Sequence, residues 1–163
     1  MVAKMLINVN YFLAQARRTA GAEPRGMELS RRAIPYTPFQ RALNETTVAL
    51  VSTAGVHLRS QEPYDIDGDG SYRVIASDTP AGDMMVTHAH YDHEQADRDI
   101  NCVFPIDRLR EFVADGTIKG LNHEFFGMMG YTLRLKQVLD ETAPEIARKI
   151  ERSQTDLVIL TGG

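Results

Sequence analysis

Thr47-Val48-Ala49-Leu50-Val51-Ser52 is apolar between its polar ends and rich in β-branched side chains. A strand with one wet face alternates polar and apolar residues. A continuous apolar run instead needs cover on both faces, as the strands of a parallel sheet have. Thr53-Ala54-Gly55 turns the chain at the carboxyl end of this run. In open α/β sheets, ligands bind in the crevice beyond those ends. His57, Arg59 and Glu62 come next and are expected to hang over that crevice.

Working outward, residues 156–160 (Asp-Leu-Val-Ile-Leu) read as a second core strand, ended by Thr161-Gly162-Gly163. Such a strand followed by Gly-Gly ordinarily enters a loop and a helix whose amino terminus faces the crevice. Tyr72-Arg73-Val74-Ile75 reads as a further strand. The acidic turn before it, Asp65-Ile66-Asp67-Gly68-Asp69-Gly70, begins like a calcium loop but has Ala76 where the twelfth-position glutamate belongs. Pro105 opens a helix with Ile106, Leu109, Phe112 and Val113 on one face, and Gly116 stops it. Residues 118–122 suggest a brief strand, and 123–131 a glycine-punctuated apolar loop. Residues 133–139 are helical in pattern. Thr142-Ala143-Pro144-Glu145 has the form of a capping box opening another helix, which turns Ile146 and Ile150 inward. At the other end, Met5, Leu6, Val9, Phe12, Leu13 and Ala16 predict an amphipathic helix over residues 4–18, followed by a Gly-, Pro- and Arg-rich extended arm to residue 38. The expected architecture is one α/β domain over 1–163, a three-layer parallel sheet of Rossmann-like or flavodoxin-like type. Residues 1–38 supply the helix and arm, and 39–163 the core.

Composition narrows the function. A chain of 163 residues with 43% hydrophobic content buries a core without staples, and a single cysteine, Cys102, excludes an internal disulfide or a multi-cysteine zinc site. Cys102 precedes an apolar run and is expected to be a buried, inert thiol. The net charge of −4 with scattered Lys and Arg argues against a nucleic-acid partner. No run reaches the roughly 18 apolar residues of a membrane span, and the amino terminus makes a poor secretory signal. A cytoplasmic enzyme or enzyme subunit is expected, with its oligomeric state open and a homo-oligomer allowed.

The chemistry concentrates in Thr87-His88-Ala89-His90-Tyr91-Asp92-His93, which holds three of the five histidines. Three readings compete. His88, His90, Asp92 and His93 spell H-x-H-x-D-H, a spacing with which metal-dependent hydrolases hold zinc or iron. Downstream, though, only His123 remains as a further imidazole ligand. Alternatively the four act without metal as catalytic proton-transfer groups, while His57, Arg59, Glu62, Arg98, Asp99 and Asn101 bind a small carboxylate or amine. The third reading is a polar loop in which Asp97, Asp99 and Asn101 only cap and turn the chain.

Beyond single motifs, ordered segments carry a family likeness: Val48-Ala49-Leu50-Val51-Ser52-Thr53-Ala54-Gly55-Val56-His57-Leu58, Gln61-Glu62-Pro63-Tyr64-Asp65, Gly70-Ser71-Tyr72-Arg73-Val74-Ile75, His90-Tyr91-Asp92, Asp97-Arg98-Asp99-Ile100-Asn101-Cys102-Val103-Phe104-Pro105-Ile106-Asp107-Arg108-Leu109 and Phe126-Gly127-Met128-Met129-Gly130. From Thr37 onward the sequence resembles the glycine/sarcosine/betaine reductase selenoprotein B family, which includes the selenoprotein subunit of D-proline reductase. The resemblance implies a reductive C–N cleavage system. In it a pyruvoyl-bearing partner subunit activates a small amine or amino acid, a selenocysteine or cysteine is the nucleophile, and a thiol reductant closes the cycle. The family's nucleophile follows a late hydrophobic strand, to which 156–160 with Thr161-Gly162-Gly163 corresponds. That places the selenocysteine or cysteine beyond Gly163, with the sequence cut short at a selenocysteine codon. Two alternatives stand beside this reading: a metal-dependent hydrolase built on the histidine segment, and a non-catalytic subunit of a reductase complex whose apolar 125–131 segment is a contact surface.

Overall fold

The computed structural model describes residues 39–163, and Arg41–Gly163 folds as one compact unit. The expected helix at 4–18 and the arm to residue 38 lie outside the described residues. The elements, in order, are β1 (Thr47–Ser52), β2 (Val56–Leu58), β3 (Tyr72–Ala76), β4 (Met84–Val86), α1 (Glu94–Arg98), α2 (Ile106–Ala114), β5 (Gly120–Leu121), β6 (Glu124–Met128), α3 (Leu135–Gln137), α4 (Ala143–Arg152) and β7 (Leu157–Thr161), with short turns between them.

β1 is central because both of its faces are apolar. It pairs in parallel with β7 on one side and with β5 and β6 on the other. Val48 and Leu50 pack with Phe104, Ile106, Leu109 and Phe125, which brings α2 to one face. Val51 packs with Phe126, Ile146, Ile150 and Val158, which brings α4 to the opposite face. The pairings of β5 and β6 with β1 differ by two residues of register. Asn122 and His123 take up the difference, and the Asn122 amide still donates to Val48 O at 2.8 Å.

Several expectations need correction. The sheet is mostly parallel rather than wholly so, since β3 runs antiparallel to β6 at its edge. Residues 124–128 are a strand beside β1, not a loop. Gly127 is there because a Cβ would fall 2.0 Å from Val56 O, so the residue that suggested a loop marks close approach of β2. β7 is half-buried, with Leu160 exposed, instead of being a second core strand. Thr142 does not cap a helix. Its backbone is helical, a π turn over Val138–Thr142 joins α3 to α4, and its hydroxyl donates to Gly70 O at 2.5 Å.

Other readings agree with the coordinates. Helix α2 ends before Gly116, whose φ is +77°. Asp69 spends its carboxylate on Ser71 and on the Asp65 amide, which makes residues 65–70 a self-bonded turn. β2 and β4 form a separate antiparallel pair that brings His57 opposite Met85. Among the described residues no helix is long and apolar enough to cross a membrane.

Candidate functional site

Because β1, β6 and β7 are parallel, their carboxyl ends finish on one rim, and backbone bonds fasten that rim together. Thr53 N donates to Thr161 O at 2.9 Å, and Gly55 N donates to Met128 O at 2.8 Å. Thr87 N, just past β4, donates to Gly55 O at 2.9 Å and starts the histidine segment across the rim. Gly55 permits this approach: its φ is +78°, and a Cβ would lie 2.3 Å from Thr87 O.

Aromatic contacts hold the rest of the segment in place. The Tyr91 hydroxyl donates to Ala54 O at 3.0 Å. His88 meets the Tyr91 ring edge-on at 4.8 Å between centroids, and His93 does so at 5.7 Å. His90 stacks on Tyr131, 3.5 Å between centroids, beyond the end of β6. Gly163 lies against the Tyr91 ring, where a Cβ would come within 2.5 Å of ring carbons. The end of β7 and the imidazole-bearing segment therefore share one place.

Protonation follows from these surroundings. Burial, then electrostatic repulsion from the neighbouring His90 and His93, holds His88 below the ordinary imidazole value. His88 Nδ1 accepts the His90 amide at 3.0 Å. His93 Nδ1 lies 2.8 Å from Asp97 Oδ2. Burial and the neighbouring Asp97 charge push the Tyr91 phenol up to about 12, so it remains a donor at neutral pH. Asp92 is exposed and accepts the Glu94 amide at 3.1 Å.

His88, His90, Asp92 and His93 do not form a ligand cage. The His88 and His90 rings stand edge to face at 5.7 Å, and His90 stacks on Tyr131. Among the described residues, no group of three or more His, Cys, Asp or Glu side chains is placed to hold a metal ion.

The expected binding set divides. His57 does not line a crevice; it is fully buried in β2, with Nδ1 on Leu58 O at 2.7 Å and Nε2 on the Thr87 hydroxyl at 2.8 Å. Burial holds it below the ordinary value, so the ring is neutral. Glu62 is exposed and meets Arg73 only through its backbone carbonyl. Arg59, Arg98, Asp99 and Asn101 do come together, around a hollow of about 200 Å³ beside α1. Most of their polar groups are occupied. Arg98 pairs with Glu94, Arg59 Nε donates to Gly82 O, and Asn101 bridges Asp99 and Asp107 at the start of α2. The two Asn101 N–H bonds hold the exposed Asp99 carboxyl below its usual range. Arg59 also lines a larger open hollow, about 560 Å³, with Ser60, Asp78, Thr79 and Asp83. Cys102, expected to be buried, is exposed, because the short turn at 100–102 points Ile100 inward instead.

Sequence reasoning missed Tyr91, Tyr131 and Asp97 as site residues. The signal for Tyr91 is an aromatic set among histidines. For Asp97 it is the four-residue spacing from His93 at a helix start.

Residues 26–163 match the family described as glycine/sarcosine/betaine reductase selenoprotein B. The chain belongs to this family. It is 43% identical over 128 residues to D-proline reductase subunit gamma of Acetoanaerobium sticklandii, covering 78% of this chain and 53% of that protein. It is 31% identical over 125 residues to betaine reductase complex component B subunit beta of Peptoclostridium acidaminophilum, covering 73% and 28%. It is 28% identical over 134 residues to glycine reductase complex component B subunit gamma of Carboxydothermus hydrogenoformans, covering 78% and 30%. The chain thus spans about half the length of the first relative and under a third of the other two. No solved structure matches it significantly. Within the selenoprotein B family, the relatives named above are subunits of D-proline reductase or of component B of a betaine or glycine reductase complex.

Proposed function

We propose that this chain serves, in the cytoplasm, as a subunit of a reductase complex that cleaves the C–N bond of a small amine or amino acid, with the rim of β1, β6 and β7 at the reacting centre. The observation that carries this reading is the meeting of Gly163 with Tyr91, flanked by His88 and His93. The nucleophile is a selenocysteine or cysteine following Gly163. Its thiolate or selenolate attacks carbon, the C–N pair leaves on nitrogen with a proton, and a second thiol releases the reduced product as an S–S or Se–S bond forms. His88 and His93 manage protons at the rim, and Tyr91 sets their spacing. Arg59 and Arg98 orient a substrate carboxylate, with Asp99 and Asn101 fixing the wall they stand on. A pyruvoyl-bearing subunit and a thiol reductant complete the complex.

The test expresses the full reading frame with the neighbouring reductase genes, measures selenium and intact mass, and assays dithiol oxidation dependent on glycine, betaine or D-proline. Turnover of one amine, with His93→Ala lowering kcat by about 10²-fold, is expected. A product with no selenium and no cysteine other than Cys102, or an assembled complex whose turnover ignores both His88→Ala and His93→Ala, makes this a non-catalytic subunit.

A further inference from the structure

His57 uses both ring nitrogens in the core, whereas His88 and His93 each use one. The two differ in which proton that single bond requires. A backbone amide only donates, so His88 Nδ1, 3.0 Å from His90 N, carries a lone pair. Burial holds this ring neutral, and its one proton is then on Nε2. An ionised carboxylate only accepts, so His93 Nδ1, 2.8 Å from Asp97 Oδ2, carries the proton. When His93 is neutral, its Nε2 holds the lone pair. Asp97 is itself held in place, because its amide donates to His93 O at 2.9 Å in the first turn of α1. Among the described residues neither Nε2 has a hydrogen-bond partner, and both rings lie edge-on to Tyr91, the ring against which Gly163 packs.

We infer that Asp97 is a positioning residue that, with the His90 backbone amide, locks the two imidazoles that flank Tyr91 in opposite tautomers, so that His88 offers an N–H and His93 a lone pair at the rim. The use of this polarity rests on the reductase reading; the tautomers themselves do not. At such a rim the two rings divide the labour. His93 Nε2 takes the proton of a thiol or selenol, giving the thiolate or selenolate and an imidazolium. That imidazolium returns the proton to the nitrogen on which the C–N electron pair lands. His88 stays neutral and spends its Nε2–H as a fixed donor to an anionic atom of substrate or nucleophile. Two rings of the same tautomer would compete for one role.

The experiment is long-range proton–nitrogen NMR on protein labelled with ¹⁵N-histidine at about pH 8, above the ordinary imidazole range. In the unmodified protein, His93 is expected to show a protonated Nδ1 and a bare Nε2, and His88 the reverse. His57, whose Nδ1 faces a carbonyl, is the internal reference with Nδ1 protonated. Asp97→Asn and Asp97→Ala should each move His93 into a tautomer mixture while leaving His57 and His88 unchanged. Asp97 is exposed, so the amide spectrum should otherwise persist; if a variant unfolds, the unmodified protein decides alone. The same tautomer on His88 and His93, or a His93 pattern untouched by both substitutions, overturns the inference. Failure of the amine-dependent assay with these tautomers intact counts against the reductase reading only.

Discussion

The antiparallel pair of β2 and β4 and the segment that leaves it treat histidine in opposite ways. In β2, His57 is fully buried with both nitrogens bonded to protein. A few residues past β4, His88 and His93 sit half-buried with one nitrogen each engaged. A satisfied imidazole in a core is a packing and hydrogen-bonding part. An imidazole with a nitrogen to spare at the ends of parallel strands is available for chemistry. What separates the two is the count of bonds each ring already makes, and residue type alone does not reveal it.

The contrast can be broken most forcefully at His57. His57→Ala removes a buried ring, strands the Thr87 hydroxyl and leaves Leu58 O with the Gln61 amide alone, so urea unfolding should show a loss of about 2–4 kcal/mol. Thr87→Val leaves His57 Nε2 buried without its donor, and should cost about 1–3 kcal/mol in the same measurement.

A pH series sharpens the comparison. His57 and His88 both have folded values below the ordinary 6.5. The unfolded chain therefore takes up protons first as pH falls. Stability from these groups is full above about 6.5 and declines as pH drops from there toward the folded values. His57→Gln should remove part of that slope and leave the share due to His88.

Smallest of all, His88→Ala and His93→Ala should each change stability by no more than about 1 kcal/mol in thermal melts, since neither ring is fully buried. Should either cost as much as His57→Ala, the division between packing and chemical histidines would fail.

How much of this was legible depended on where the deciding interactions lie in the chain. The apolar run of β1 announces cover on both faces, and the coordinates put helices on each side of it. Helix α2 and its glycine stop are equally local. β6 was not legible, because Gly127 answers to the Val56 carbonyl, far away in sequence. The capping box failed for a similar reason, since Gly70 O recruits the Thr142 hydroxyl. Within the site, the histidine cluster was visible as composition. The burial of His57 and the self-bonding of Asn101 with Asp99 and Asp107 are matters of three-dimensional neighbours. Arg59, Arg98, Asp99 and Asn101 do line one hollow, and Glu62 and His57 stand apart from it.

The packing of Gly163 on Tyr91 ties two distant positions into one mechanical unit. A side chain at 163 would have to push the phenol off the Ala54 carbonyl, and the imidazoles braced on that ring would swing with it. Selection should therefore act on the pair jointly: where a homologue replaces the aromatic ring at 91 by something slimmer, position 163 is expected to vary more freely.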